Sequence, residues 1–270
     1  MGVPLPHRLI LSPVVGLTAQ SELPAVSPRS QVITVRQRTN SILHALPRKE
    51  LTTLQPRLEL VPLPLHTVLN ETARPIVHGY FMVSGLASVL TVLKQNRIVE
   101  VGLTGSEGFV GLPLVAGFKS SAARVIVQIR GSAFRIRAND LTSALETCPV
   151  LRRQLQGYAF ELAGQSAQIA ACNRLHDVNQ RMARWLLMSQ DRLGGDLVGL
   201  TQEFLAHMLG MRRASVNVAI GFLEKSELID YSRGAVQILD RAGLESATCE
   251  CYSSIVRHHA MWRKESNHHG

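Results

Sequence analysis

Between positions 200 and 240 the apolar residues recur twice with helical spacing and then alternate. Phe204, Leu205, Met208 and Leu209 make one short stripe, with Thr201 placed to cap its helix and Glu203 suited to the first turn. Gly210 follows, where a residue tolerant of positive φ stops a helix. Val216, Ile220 and Leu223 then form a second stripe, with Arg213, Asn217, Gly221 and Glu224 opposite. A short β-hairpin is predicted next, closing at Ser232-Arg233-Gly234. The polar face of the second helix has base-reading chemistry, since Arg can bridge guanine and Asn can bridge adenine in the major groove. Gly221 would let the backbone approach a duplex closely. Two short amphipathic helices around a glycine also occur in all-α proteins that touch no DNA, so the neighbouring segments matter.

Residues 1–40 carry five prolines, many Ser and Thr and no sustained periodicity, which reads as a mobile tail. From 42 to 138 a short helical lead-in over Ser41–Leu46 and Pro47–Leu54 gives way to runs bounded by Pro, Asn and Gly. YFMVSGLASVLTVL reads as two strands meeting at Ser84-Gly85, and RIVEVGL, ARVIVQI and SAFRIRA as further strands. Strands at this spacing suggest a small barrel or roll. Asp140 is expected to cap a short helical piece that Pro149 ends, and a longer helix starts near Val150. Along it Leu151, Leu155, Tyr158, Leu162, Gln165, Ile169 and Cys172 are spaced alternately by four and three, an a/d seam. The seam is assigned to dimerisation through Leu151 to Ile169, with Gln165 specifying register; packing on the same chain is the alternative. Another helix is predicted over Leu175–Arg192, with Met182, Trp185, Leu186 and Leu187 as its packing face and Gly194-Gly195 ending it. A last helix-like stretch covers Arg241–Arg263.

Residues 42 to 245, and most specifically the helix-turn-helix and hairpin of 200–240, resemble the cyclic-AMP receptor/FNR class of bacterial transcription regulators. The resemblance implies an α+β fold: a cyclic-nucleotide-binding-like β-roll (41–139) after the tail (1–40), a dimerisation helix (140–173), a C-terminal winged helix-turn-helix (174–245) and a C-terminal tail (246–270). It implies a homodimer that binds an inverted-repeat operator in double-stranded DNA and meets RNA polymerase, with no catalytic activity. Arg213 and Asn217 are expected at base edges, and Thr201, Arg212, Ser215 and Arg233 at phosphates. Gly85 falls at a turn where the family also keeps glycine. Members that bind cyclic nucleotides hold the phosphate with an Arg and the ribose with a Glu. In the corresponding stretch, Glu107 to Leu114, the Glu position falls on Leu112 and the Arg position near Ser120, while Arg124 lies where the next strand begins. Both polar anchors depart, so cyclic AMP is not the expected effector and none is assigned. The recognition helix departs too: Arg213-Ala214 stands where Arg-Glu is typical, and Val218 where a later Arg is typical, so the family operator is not carried over.

Composition modifies this picture in three places. The net charge is +9, but residues from 172 onward hold 12 Lys and Arg against 11 Asp and Glu. Any electrostatic footprint of the DNA-binding region must therefore be local, from Arg212, Arg213 and Arg233. The four cysteines are too scattered for a disulfide framework and no run has the length of a membrane span, so a cytoplasmic protein is expected. An apolar patch at Leu9–Leu17 is interrupted by Pro13 and has no signal-peptide layout. Residues 1–147 contain no cysteine, against an N-terminal iron–sulfur cluster. Cys249-Glu250-Cys251, with His258, His259, His268 and His269 beyond, has donors for a metal ion or a redox switch. The simpler reading is small residues on a terminal helix and a solvated tail, so neither metal nor cofactor is assigned. His44, His66 and His78 are bare candidates for a haem axial ligand, and His66 and His78 stand alone, without the spacing of a cupin-type metal site. A β-roll metalloenzyme and a scaffold that binds no DNA are the competing classes, and only DNA binding uses Arg213 and Asn217 on one helix face.

Overall fold

The computed structural model describes residues 40–268. The expected tail lies, apart from Asn40, outside the described residues, as do His269 and the patch at Leu9–Leu17. Asn40 is an anchor. Its buried side chain accepts from the Ile42 and Leu43 amides, capping α1 (Ser41–His44). It also donates to the carbonyls of Met82, Ser106 and Gly108 at 2.9, 3.2 and 2.8 Å. After α2 (Arg48–Leu54) come β1 (Glu59–Leu63), β2 (Val68–Asn70), β3 (His78–Val92), β4 (Ile98–Thr104), β5 (Phe109–Val110) and β6 (Arg124–Arg137). All strand pairs are antiparallel: β1, β6, β3 and β4 lie side by side, with β2 on β6 and β5 on β3.

The roll is therefore as expected, but its long strands are not divided where the sequence suggested. β3 runs through Ser84-Gly85, and β6 joins ARVIVQI to SAFRIRA. Pairing slips at Met82/Ser84 and again at Ser84/Leu86, where Gly85 takes φ 79°. Opposite it, a side chain on Gly131 would run into the Ser84 carbonyl. A bulge uses the same residues as a turn, because both need a missing Cβ. β1 and β2 were not individually assigned; β1 carries Pro62, which an edge strand tolerates.

α3 (Ala138–Thr147) has Arg137 at its N-cap position without a capping side-chain bond, and Asp140 lies inside its first turn rather than at the cap. Pro149 opens α4 (Pro149–Leu175), whose first amides donate from Val150 and Leu151 to the Glu50 carboxylate at 3.0 and 2.9 Å. Along α4 the seam expected to meet a second copy is covered by the chain itself. Leu151, Leu155 and Tyr158 are buried in the roll's core, Leu162 lies against Gly102, and Ile169 joins the C-terminal core. Gln165 accepts from the Leu103 amide at 2.8 Å, so it registers the helix on its own roll. A heptad stripe marks a narrow apolar seam without saying which body covers it.

α5 (Val178–Leu193) starts at a capping box of Asp177 and Gln180 and ends at Gly194, φ 67°. Its face of Met182, Trp185, Leu186 and Leu187 is fully buried, as expected. The helix-like stretch expected after Asp240 is helical. It makes α8 (Arg241–Ala247) and α9 (Glu250–His268), and α9 packs along α4, burying Cys249, Cys251, Tyr252 and Ile255. Its polar exposed side, Arg257 to Lys264, hid the apolar inner stripe. Among the described residues no helix is long and apolar enough to cross a membrane.

Candidate nucleic-acid interface

Two short helices and a hairpin form the unit predicted from the apolar spacing. α6 (Gln202–Met208) is capped by the Thr201 hydroxyl, which accepts from the Phe204 amide at 3.2 Å. Leu205, Ala206 and Met208 face inward. Gly210 takes φ 61° in the turn, where the Arg181 guanidinium donates to the Leu209 carbonyl. α7 (Arg213–Lys225) buries Val216, Ala219, Ile220 and Leu223. β7 (Leu197–Gly199), β8 (Ile229–Ser232) and β9 (Ala235–Ile238) form a small sheet in the order β7-β9-β8. The β8–β9 turn holds Arg233 and Gly234 at φ 51° and 76°, both positive as a tight hairpin turn of the primed kind requires.

Arg212, Arg213, Ala214, Asn217, Val218, Gly221 and Phe222 are all exposed. At about 100° per residue, Ala214, Val218 and Gly221 lie at the middle of this arc. Arg213 and Asn217 flank it on one side and Phe222 on the other. Nothing lies within 4 Å of the position a Cβ on Gly221 would take. Val218, which stands where a later Arg is typical, is 70% exposed near the middle of the arc. Glu224 lies on the same side as Asn217 but is half-buried and engaged: it accepts from the Tyr231 amide at 3.0 Å and ties α7 to the wing. Arg212 occupies the cap position of α7, and among the described residues no side chain caps the helix, which leaves the Arg213 and Ala214 amides to an external acceptor. Ser215 is half-buried one turn in, and Arg233 stands exposed at the wing tip. Thr201 is exposed as well, beside a cavity of about 270 Å³ lined by His66, Gln128 and Arg130 of the roll and Phe204 and Gly234 of this unit.

The residues at the positions of the family's nucleotide anchors are engaged within the chain. Leu112 opens a short 3-10 helix (Leu112–Ala116) packed on the roll's core. Ser120 and Ser121 bridge to Pro75 and Thr72. Arg124 is held by Glu71 through two contacts of 3.0 and 3.1 Å, which keep the Glu71 carboxyl below its usual range. Glu107 pairs with Arg192 of α5 at 2.8 Å, both side chains nearly buried. His44 is exposed, His66 packs on Phe204 and His78 lies beside Tyr80, so the three do not meet.

Residues 180–247 match the Crp-like helix-turn-helix domain family. No curated protein matches the chain in sequence. Among solved structures, FixK2 from Bradyrhizobium japonicum is similar at a TM-score of 0.62 and 15% identity, covering 71% of this chain and 98% of that one. The c-di-GMP-responsive global regulator CLP of Xanthomonas campestris gives 0.59 and 16%, covering 72% of this chain and 100% of its own. A CRP/FNR-family regulator from Thermus thermophilus gives 0.58 and 20%, covering 70% and 97%. At these identities the likeness is one of fold.

Proposed function

We propose, from the match of residues 180–247 to the Crp-like helix-turn-helix domain and the fold likeness to Crp/Fnr regulators, that two copies read an inverted-repeat operator through α7. The observation that carries the reading is the exposed arc of α7, which presents Arg213 and Asn217 beside a small, open centre at Ala214, Val218 and Gly221. Arg213 is assigned to a guanine edge, Asn217 to an adenine edge and Val218 to a thymine methyl. Arg212, Ser215 and the uncapped amides at the start of α7 take phosphates. So do Arg233 in the wing and Thr201, whose hydroxyl accepts the capping bond and still has its proton to donate. A twofold axis would set the two recognition helices about 34 Å apart in successive major grooves.

The dimer face proposed is not the a/d seam but the side of α4 that the chain leaves bare. Gln156, Phe160, Ala163, Ala167, Ala170 and Arg174 are exposed and repeat with the same alternation of four and three. Phe160 is 78% exposed, an anchor among small residues that let two helix backbones approach. RNA polymerase is the partner expected for the DNA-bound dimer, and the effector stays unassigned.

The test is a titration of wild-type and Arg213→Ala/Asn217→Ala protein on a bound duplex and its scrambled counterpart. Loss of about 1–3 kcal/mol per removed contact on the first duplex, with little on the second, is expected. Equal losses on both duplexes would remove the base-reading role.

A further inference from the structure

Three cysteines and a histidine, distant in sequence, converge where α4 hands over to α5. Cys172 ends α4's buried stripe and His176 follows one turn on, at its C-cap. Cys249 immediately precedes α9, and Cys251 lies in its first turn. One ligand atom from each of the four lies within 4.8 Å of all the others. The Cys172 and Cys249 sulfurs are 3.5 Å apart, and Cys251 Sγ is 3.6 Å from His176 Nδ1. Ligand atoms at tetrahedral corners about 2.3 Å (sulfur) or about 2.0–2.1 Å (nitrogen) from one zinc ion are separated by roughly 3.4–3.8 Å.

We propose that Cys172, His176, Cys249 and Cys251 form a closed Cys3His site for one Zn²⁺ per chain. All four protein ligands leave no open position, which is the layout of a structural rather than a catalytic zinc. The surroundings fit the ion beyond its ligands. His176 Nε2 lies 3.2 Å from a Glu250 carboxylate oxygen, so the ring presents Nδ1 to the metal while the carboxylate fixes its tautomer. Gln168 donates to Cys251 Sγ at 3.1 Å, a bond suited to a thiolate. Zinc with three thiolates and a neutral imidazole carries one negative charge. Arg181 and Arg184 lie within electrostatic reach of Cys172, and each has a buried Nε with no hydrogen-bond partner among the described residues. Binding releases the thiol protons to solvent.

The sequence singled out Cys249 and Cys251 but paired them with the wrong histidines. His259 goes instead to Glu161, and His258 is exposed. Their true partners lie about 75 residues earlier. Bound at this place, the ion would pin α9 across the joint between α4, which carries the roll, and α5, which opens the DNA-binding unit.

Zinc binding here is independent of whether α7 reads DNA. Full-length protein made with zinc in the medium and purified reduced is analysed by elemental mass spectrometry. One zinc per chain is expected, falling to trace in C249S/C251S. Substituted Co²⁺ should show thiolate-to-metal charge transfer and the strong d–d bands of a tetrahedral site, and a chelator should lower the melting midpoint of wild type but not of the variant. Wild-type protein that is folded by circular dichroism yet holds no zinc, and gives only weak octahedral Co²⁺ bands on titration, would overturn the assignment whatever the variant does. So would a Cys172–Cys249 disulfide as the form isolated with zinc present.

Discussion

Glu100 of β4 is 3% exposed and spans the joint between the roll and α5. Trp185 Nε1 donates to one carboxyl oxygen at 2.8 Å, and Ser88 Oγ lies 2.6 Å from the other. Ser88 also meets the Gln128 carbonyl oxygen, and its one hydroxyl proton cannot serve two acceptors. With the Gln128 amide oriented this way, a protonated Glu100 resolves the conflict by donating to Ser88, which then donates to Gln128. Burial works in the same direction, raising the carboxyl from 4.5 to about 7 against its hydrogen bonds and two arginines. Below about 4.5 both folded and unfolded chains carry the proton. Between there and about 7 only the folded chain does, so stability falls as pH rises through that window. A shift of this size corresponds to about 3 kcal/mol. Glu100→Gln keeps the shape, accepts from Trp185, donates to Ser88 and cannot ionise. Urea unfolding of both proteins, followed by circular dichroism across about pH 4.5 to 8, should give similar stabilities at the acid end. At the alkaline end the variant should be more stable by about 3 kcal/mol. A difference that does not change with pH, or a variant weaker at every pH, would refute the protonated network.

Two further outcomes follow from local geometry. Phe160→Glu places a charge on the bare face of α4 and should leave the fold intact, because Phe160 is 78% exposed. The protein should sediment as a monomer and lose operator affinity by about a hundredfold or more, as a bivalent grip becomes monovalent. Asn40→Ala removes the α1 cap and the buried bonds to the Met82 and Gly108 carbonyls, which should cost about 2–4 kcal/mol in denaturant unfolding.

What could be read from the sequence was whatever local periodicity encodes. The stripes Leu205–Met208 and Val216–Leu223, the stop at Gly210 and the turn at Arg233-Gly234 lie in the structure where their spacing placed them. Facing was harder to read. The α4 seam is real, yet its covering body is the chain's own roll, and nothing within the helix distinguishes the two. Glu224 shares the polar side of α7 with Asn217 but is taken by the Tyr231 amide, a partner that only the folded wing supplies. The Cys3His cluster joins α4 to α9, and no local pattern predicts so long a closure.

If α7 reads sequence and two copies do so together, the protein itself can report its operator. Purified protein should be used to select bound duplexes from a random-sequence pool, with the recovered DNA sequenced. The account predicts enrichment of an inverted repeat whose half-site centres lie about 10 base pairs apart, and loss of that enrichment with Arg213→Ala/Asn217→Ala. Recovery of unrelated sequences, or of the same repeat by the double variant, would contradict it.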